Sequence, residues 1–284
     1  MKFHFPSAAL ILQKESLIVN KQICEVERGG KVMRHAIITA GSKGLGKKVT
    51  EQFLNNGVSV TVTYRTDKEK ALELIDQFPT KQEDIQIIQA DVTSHIDLKN
   101  LVDQTISRFG RVDYLVNNAG PYIFERKKLM DYSFEEWDAM IRGNLDAVFY
   151  LLKLTVPYMR KQHFGRIINY GFQGAGGAAG WIYRSAFAAA KVGLVSLTKT
   201  IAFEEAENGI TSNMICPGHI HGGWKESSIM DGRRSVDNET PIGRPGTGED
   251  IARTIEFLCH EDSDMITGTI YEVTGGMDVI HRYR

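Results

Sequence analysis

The chain has almost no net charge, with 34 Lys and Arg against 35 Asp and Glu. No basic surplus argues for nucleic acid as a partner. Cysteine is scarce: Cys24, Cys216 and Cys259 are scattered and form no CxxC or Cys/His cluster. That gives no metal signature and fits the reducing conditions of a cytoplasmic protein. No apolar run reaches the ~20 residues a membrane span requires, and there is no internal repeat or low-complexity tract. What remains is a 284-residue chain, 42% apolar and 24% charged, the balance of an ordinary soluble globular protein with room for one large domain or two small ones.

Residues 1–32 share none of the organisation that follows. "SAALILQKESLIVNKQI" is weakly amphipathic, too short in its apolar run and too interrupted by charge for a good signal peptide. "ERGGKVM" then ends at Met33, directly before a clear strand. A purine-rich ribosome-binding stretch, translated in frame, can read Glu-Arg-Gly-Gly. Residues 1–32 are therefore either read-through ahead of a start at Met33 or a genuine but loosely attached or disordered extension. N-terminal sequencing of the native protein separates the two.

From Met33 to Arg284, short β-branched runs alternate with helical patterns. The runs are "HAIITA", "VSVTVTY", "IQIIQA", "VDYLVN", "GRIINY", "ITSNMI" and "TIYEV". Apolar strands separated by helices predict a parallel sheet covered on both faces. Seven of them in one uninterrupted stretch predict an α/β fold: a single Rossmann-type, doubly wound domain over residues 33–284 with a seven-stranded parallel sheet. The segment from about His219 to Pro241 lacks clean periodicity and reads as a mobile segment beside the site.

The first strand runs into "TAGSKGLG" and then a helix, so Gly41, Ser42, Lys43, Gly44, Leu45 and Gly46 form a strand-to-helix turn. Glycines there let the backbone approach a pyrophosphate, whose charge the helix N-terminus stabilises. The bland alternative is a tight turn, but its place after the first of seven alternating strands favours nucleotide binding. The residue just past the second strand lies near an adenosine ribose, where an acid favours NAD. Here Arg65 is close and Lys43 sits inside the turn, and two cations suit the 2′-phosphate of NADP(H). The alternative is two solvated surface cations.

With these motifs in order, the chain resembles the short-chain dehydrogenase/reductase family, nearest its 3-oxoacyl-acyl-carrier-protein reductase branch, over nearly all of residues 33–284. "TAGSKGLG" resembles the family's TGxxxGxG, with Ala40 in place of the first glycine. Asp91 and Val92 resemble its adenine-contacting pair, and "NNAG", containing Asn118, Ala119 and Gly120, its motif after the fourth strand. Asn144 matches the helix asparagine that holds a proton-relay water in relatives. Pro217, Gly218 and Ile220 resemble its turn by the nicotinamide. The resemblance implies hydride transfer between a nicotinamide and a carbonyl or alcohol, as in fatty acid metabolism. It also implies a homotetramer built through the two long helices, about 134–162 and 185–208.

The resemblance breaks at the chemistry. The family's Tyr gives the proton, a Lys four residues on lowers its pKa and holds the ribose, and a Ser orients the carbonyl. Lys191 matches the Lys, but the Tyr position is Phe187 and the Ser position reads Gly171-Phe172. The usual threonine after the turn is replaced by Gly222. General acid catalysis contributes ~10²–10⁴-fold, so the lost hydroxyls weigh heavily.

The loop between Phe172 and Phe187 is about two residues longer than in the reductase branch and contains Tyr183, eight residues before Lys191. Enoyl-carrier-protein reductases of the superfamily use a Tyr seven residues before the Lys, so a displaced Tyr can serve. On a regular helix eight residues would carry Tyr183 about 12 Å and ~80° away from Lys191. Tyr183 therefore works only if the loop folds back or the helix begins after it. Otherwise it is a pocket wall with Trp181. Tyr170 reads as packing under the site, Ser185 as a helix N-cap, and His219 and His221 as lesser donor candidates.

The candidate catalytic residues are thus Asn144, Lys191 and Tyr183. The expected activity is NADPH-dependent reduction of a small-molecule carbonyl substrate, such as an acyl thioester. The rival is an NADP(H)-binding sensor or partner subunit without turnover, since the cofactor half is intact and the chemical half depleted.

Overall fold

The computed structural model describes residues 27–28, 31–278 and 280. The proposed read-through segment therefore lies almost wholly outside the described residues. Within it, Glu27–Arg28 pairs antiparallel with Lys31–Val32. The chain divides into two compact units, residues 1–33 and 34–284.

The second unit is a seven-stranded sheet. Its strands are β1 His35–Ile38, β2 Ser59–Tyr64, β3 Ile85–Gln89, β4 Tyr114–Asn117, β5 Gly165–Tyr170, β6 Ile210–Pro217 and β7 Ile270–Val273. All neighbours are parallel, in the order β3-β2-β1-β4-β5-β6-β7. β1, β4 and β5 are buried along their whole length. This follows from β-branched and apolar runs flanked by helices on both faces.

The helices are α1 Gly44–Asn55, α2 Lys68–Gln77, α3 His95–Phe109, α4 Phe134–Ile141, α5 Ala147–Gln162, α6 Ser185–Glu204, α7 Ile229–Arg233 and α8 Gly248–Cys259. Side chains set several starts. Ser94 accepts from Asp97 N–H, and Ser133/Glu136 and Thr247/Asp250 form capping boxes. One apolar core packs α3, α5 and α6 on the sheet, and a second packs α1 and α8 on the other face. On length and composition α6 could cross a membrane, but here it is an internal helix whose buried face includes Ala186, Lys191, Leu194 and Thr198.

Two expectations need correction. Ser185 does not cap α6: Arg184 holds the cap position with φ −135° and ψ 27°, no side chain caps the helix, and Ser185 is its first residue. A cap residue needs an extended backbone to turn its oxygen onto the N–H groups, and the chain enters α6 from a different direction. The aperiodic 219–241 segment is also partly regular: it contains a short 3-10 helix at Gly222–Glu226 and α7, which has its own Ser228/Asp231 capping box.

The fold locks α6 through a buried chain of amides. Asn117 Nδ2 donates to Asn169 Oδ1 (2.8 Å), Asn169 Nδ2 donates to Thr198 Oγ1 (2.9 Å), and Thr198 donates to Leu194 O (2.7 Å). Lys191, one and two turns before these residues on the same face, is thereby held relative to the ends of β4 and β5.

Candidate active site

At the carboxyl ends of the strands lies a cavity of about 680 Å³. A crevice there, where strand order reverses about β1 and β4, is where open α/β sheets take ligands. It is lined by Leu45, Asn118, Gly120, Asn144, Tyr183, Lys191, Pro217, Gly218 and Ile220, so nine of the expected positions meet there. Gly41, Ser42, Lys43, Gly44, Gly46, Ala119, Asp91, Val92 and Arg65 lie off this cavity's wall, on the turn and the neighbouring strand ends.

The glycine turn is tightly built. A Cβ on Gly46 would lie 2.4 Å from Ala40 O and 2.6 Å from Asn118 Nδ2, so only glycine fits. Gly44 has φ +59°. Ala40, where the family has glycine, also takes the left-handed region with φ +51°, a conformation that costs a non-glycine residue roughly 1–2 kcal/mol. Thr39 Oγ1 accepts from Asn118 N–H (3.0 Å) and Ala119 N–H (2.9 Å), and Asn118 Nδ2 donates to Thr39 O (3.0 Å). Thus "NNAG" and the glycine turn are one hydrogen-bonded unit.

The turn attracts anions. Gly44 N–H donates to Glu226 Oε1 at 2.7 Å, and Lys47 Nζ stands 3.5 Å from Glu226 Oε2. A carboxylate thus occupies the kind of position a phosphate oxygen takes at a helix N-terminus. Tyr170 Oη adds a buried hydroxyl without a partner, on a side chain that lines the cavity. These features suit an anionic dinucleotide. Lys43 and Arg65 are both exposed. Burial raises Asp91, but the Thr93 N–H and hydroxyl and the charge of Arg65 outweigh it and hold the carboxyl below its usual range. Arg65, one residue past β2, therefore lies close enough to Asp91 for its charge to act on that carboxyl.

Asn144 lies in a π-helical turn, Arg142–Asp146, that joins α4 to α5. Its Nδ2 donates to Pro121 O (2.9 Å) and Met140 O (3.1 Å). A Cβ on Gly120 would lie 2.3 Å from Asn144 Oδ1, so the "NNAG" glycine makes room for the amide. Such turns interrupt the helical carbonyl ladder and recur at functional sites. Lys191 is buried, and burial lowers its ammonium to about 8, with Cys216 opposing the shift.

At positions 172 and 187 aromatic rings stand. Phe172 stacks on Trp181 (centroids 5.3 Å apart, 25° between planes), and Phe187 meets Trp181 at 6.2 Å and Phe172 at 6.3 Å. Tyr122 closes the group edge-on to Phe187 at 5.0 Å. Lys191 Nζ lies 5.6 Å from the Phe187 centroid. Each such pair adds about 0.5–1.5 kcal/mol beyond burial, so this part of the wall is a packed structure rather than a hole.

Tyr183 lies outside α6, two residues before its start, with φ +63°. The condition that α6 begin after it is met. The Tyr183 carbonyl accepts from Arg184 Nη1 (2.8 Å), and the Arg126 guanidinium lies 5.7 Å from its ring centroid. Complete burial pushes the Tyr170 phenol well above its ordinary value, which makes it a poor acid. His219 and His221 pair at 4.8 Å on the cavity wall.

Sequence reasoning missed Glu226, Tyr122, Arg126 and Arg184 at this site. No local motif marks them, since each arrives by a contact distant in the chain. Thr39 had a signal, as the first residue of the quoted glycine motif.

Residues 39–278 match the family model described as enoyl-(acyl carrier protein) reductase. This model lies within a wider family, which the fold and ordered motifs share. The chain belongs to the short-chain dehydrogenase/reductase family. It is 61% identical over 251 residues to "Putative oxidoreductase YtkK" of Bacillus subtilis, covering 88% of this chain and 98% of that one. It is 34% identical over 247 residues to the 3-oxoacyl-[acyl-carrier-protein] reductase FabG of Staphylococcus aureus, covering 87% and 99%. A solved structure titled "Structure of putative 3-oxoacyl-reductase from bacillus thuringiensis" superposes with a TM-score of 0.83 at 63% identity, covering 88% of this chain and 100% of that one. The chain is an oxidoreductase of this family, and the family implies a nicotinamide cofactor.

Proposed function

We propose that the chain is an NADPH-dependent reductase of a small carbonyl compound in which Tyr183, not the residue at 187, donates the proton. The observation that carries this reading is the start of α6 at Ser185, which leaves Tyr183 on the wall of the cavity that Lys191 and Asn144 also line. Its left-handed backbone is a second support, because strain at a non-glycine residue persists where the surroundings hold it and gathers at functional sites.

In this reading Gly41, Ser42, Gly44, Leu45 and Gly46 hold the pyrophosphate by backbone, and Lys43 and Arg65 hold the 2′-phosphate. Asp91, Val92, Asn118, Ala119 and Gly120 border the adenosine, and Pro217, Gly218 and Ile220 border the nicotinamide. Bound there, the dinucleotide supplies hydride to the carbonyl carbon. Lys191, as ammonium, donates to the ribose. Tyr183 Oη gives its proton to the carbonyl oxygen as negative charge grows on it, and solvent returns the proton. Asn144 Nδ2 is committed to Pro121 O and Met140 O, so Asn144 would hold a relay water through an oxygen, as acceptor.

The test is NADPH oxidation at the nicotinamide absorbance, over β-ketoacyl thioesters, quinones and small ketones. Turnover supports the reading. Tight NADPH binding with no turnover on any of them favours the second reading, a cofactor-binding sensor or partner subunit. The observation behind that rival is the aromatic filling of both hydroxyl positions.

A further inference from the structure

Part of the cavity wall comes from beyond the residues that match the family model, which end at 278. Ile280 lines the cavity together with Phe172, Trp181, Tyr183 and Lys191. It is 7% exposed and belongs to the same apolar cluster as Phe172 and Ala175. Its Cδ1 lies 2.7 Å from where a Cβ on Gly174 would sit, so the side chain rests directly against the backbone of the loop after β5. Gly174 has φ +80°, so any other residue there would meet both a strained backbone and Ile280. β7 ties down the same stretch. Gly174 N–H donates to Glu272 Oε1 (2.7 Å), and Ile270 Cγ2 stands 3.5 Å from where a Gly176 Cβ would lie. Ile280 therefore packs on a segment that other contacts already hold in place.

The Ile280 side chain has no donor, acceptor or charge, so at the cavity it acts only by size and shape. We propose that Ile280 is a specificity-determining residue, whose branched side chain limits the room beside the loop after β5 and selects compact carbonyl compounds over bulkier ones. This rests on the reductase reading and narrows it. In that reading the cavity of about 680 Å³ also takes the nicotinamide end of the dinucleotide. The space left for the substrate is smaller, and one aliphatic wall residue then counts. Apolar pockets discriminate by single methylenes, roughly 10–200-fold each. The Glu272 contact also keeps the loop from collapsing onto a smaller residue at 280, so trimming this side chain should leave usable space.

The test is calorimetric binding of benzamide and of 2-naphthamide to the full chain saturated with NADP⁺. Each amide carries a carbonyl and neither is reduced, so size is read without turnover. Ile280→Ala, which trims the side chain to one methyl, should shift the affinity ratio toward 2-naphthamide by about tenfold or more. Ile280→Trp should shift it toward benzamide. A core residue with no part in the cavity would not move the ratio in opposite directions. NADP⁺ binding shows that each variant is folded, and if Ile280→Ala does not fold, Ile280→Val should give a smaller shift of the same sign. Ile270→Ala makes the same cut against the same loop but off the cavity wall, and should leave the ratio where it is. A ratio unmoved by Ile280→Ala or Ile280→Val, one that moves as far in Ile270→Ala, or a wild type that binds neither amide overturns the proposal. The expected shift in a chain that never oxidises NADPH keeps the wall and removes the reductase reading. Turnover with an unmoved ratio does the reverse.

Discussion

At one end of the cavity the glycine turn, "NNAG" and Thr39 form a hydrogen-bonded frame in which single atoms decide the fit. At the other, Phe172, Phe187, Trp181 and Tyr122 pack ring against ring. The first end is shaped by backbone geometry, which tolerates no added atom at Gly46. The second is shaped by side chains, which can be exchanged without moving the backbone. The difference teaches that a backbone frame and a side-chain wall can vary independently, because different parts of the chain supply them.

The strongest way to break this contrast is at the frame. Gly46→Ala drives a Cβ into Ala40 O. It should abolish NADPH binding in calorimetry and cost about 3 kcal/mol or more in denaturant unfolding. Tight NADPH binding by this variant would mean the frame is not the cofactor end.

Lys191 joins the two ends. Its ammonium titrates near 8 in the cofactor-free protein, so NADPH affinity should fall as pH rises through that value. Lys191→Met should weaken binding roughly 10-fold, about one hydrogen bond to a charged group, and flatten the pH profile. The stability sign is opposite. Burial lowers this lysine, so the folded state pays a desolvation cost that is fully present below about 8 and relieved as pH climbs toward the ordinary lysine value. Cofactor-free Lys191→Met should therefore melt higher than wild type at pH 7.

Phe187→Tyr restores the family's hydroxyl inside the aromatic group, and the rate should change by less than about threefold, well below a general acid's contribution. A gain of tenfold or more would mean the site still works through the helix position. The smallest effect is expected at Glu226→Gln, which removes a charge competing for Gly44 N–H. NADPH should bind about two- to threefold tighter, in line with a partly exposed ionic contact.

The seven strands were legible because each is a β-branched run bounded by a helical pattern, and the glycine turn because its spacing is local. The loss of hydroxyls at 172 and 187 was equally plain. Their stacking was not, since Tyr122 comes from the loop after β4, Phe172 and Trp181 from opposite ends of the loop after β5, and Phe187 from α6. Ser185 misled because a serine before an apolar helix is the ordinary cap signal, while the cap depends on a backbone angle that sequence does not print. Glu226 on Gly44 and Arg184 across the 122–125 loop are contacts of long separation, with no periodicity to announce them.

If the proton donor sits in the loop before α6, removing the Tyr183 hydroxyl stops the chemistry and spares the cofactor site. The most direct measurement is kcat for wild type and Tyr183→Phe on one accepted carbonyl substrate, with NADPH affinity determined alongside. Tyr183→Phe is expected to lose about 10²–10⁴-fold in kcat while binding NADPH as tightly as wild type. An unchanged kcat in Tyr183→Phe would contradict it.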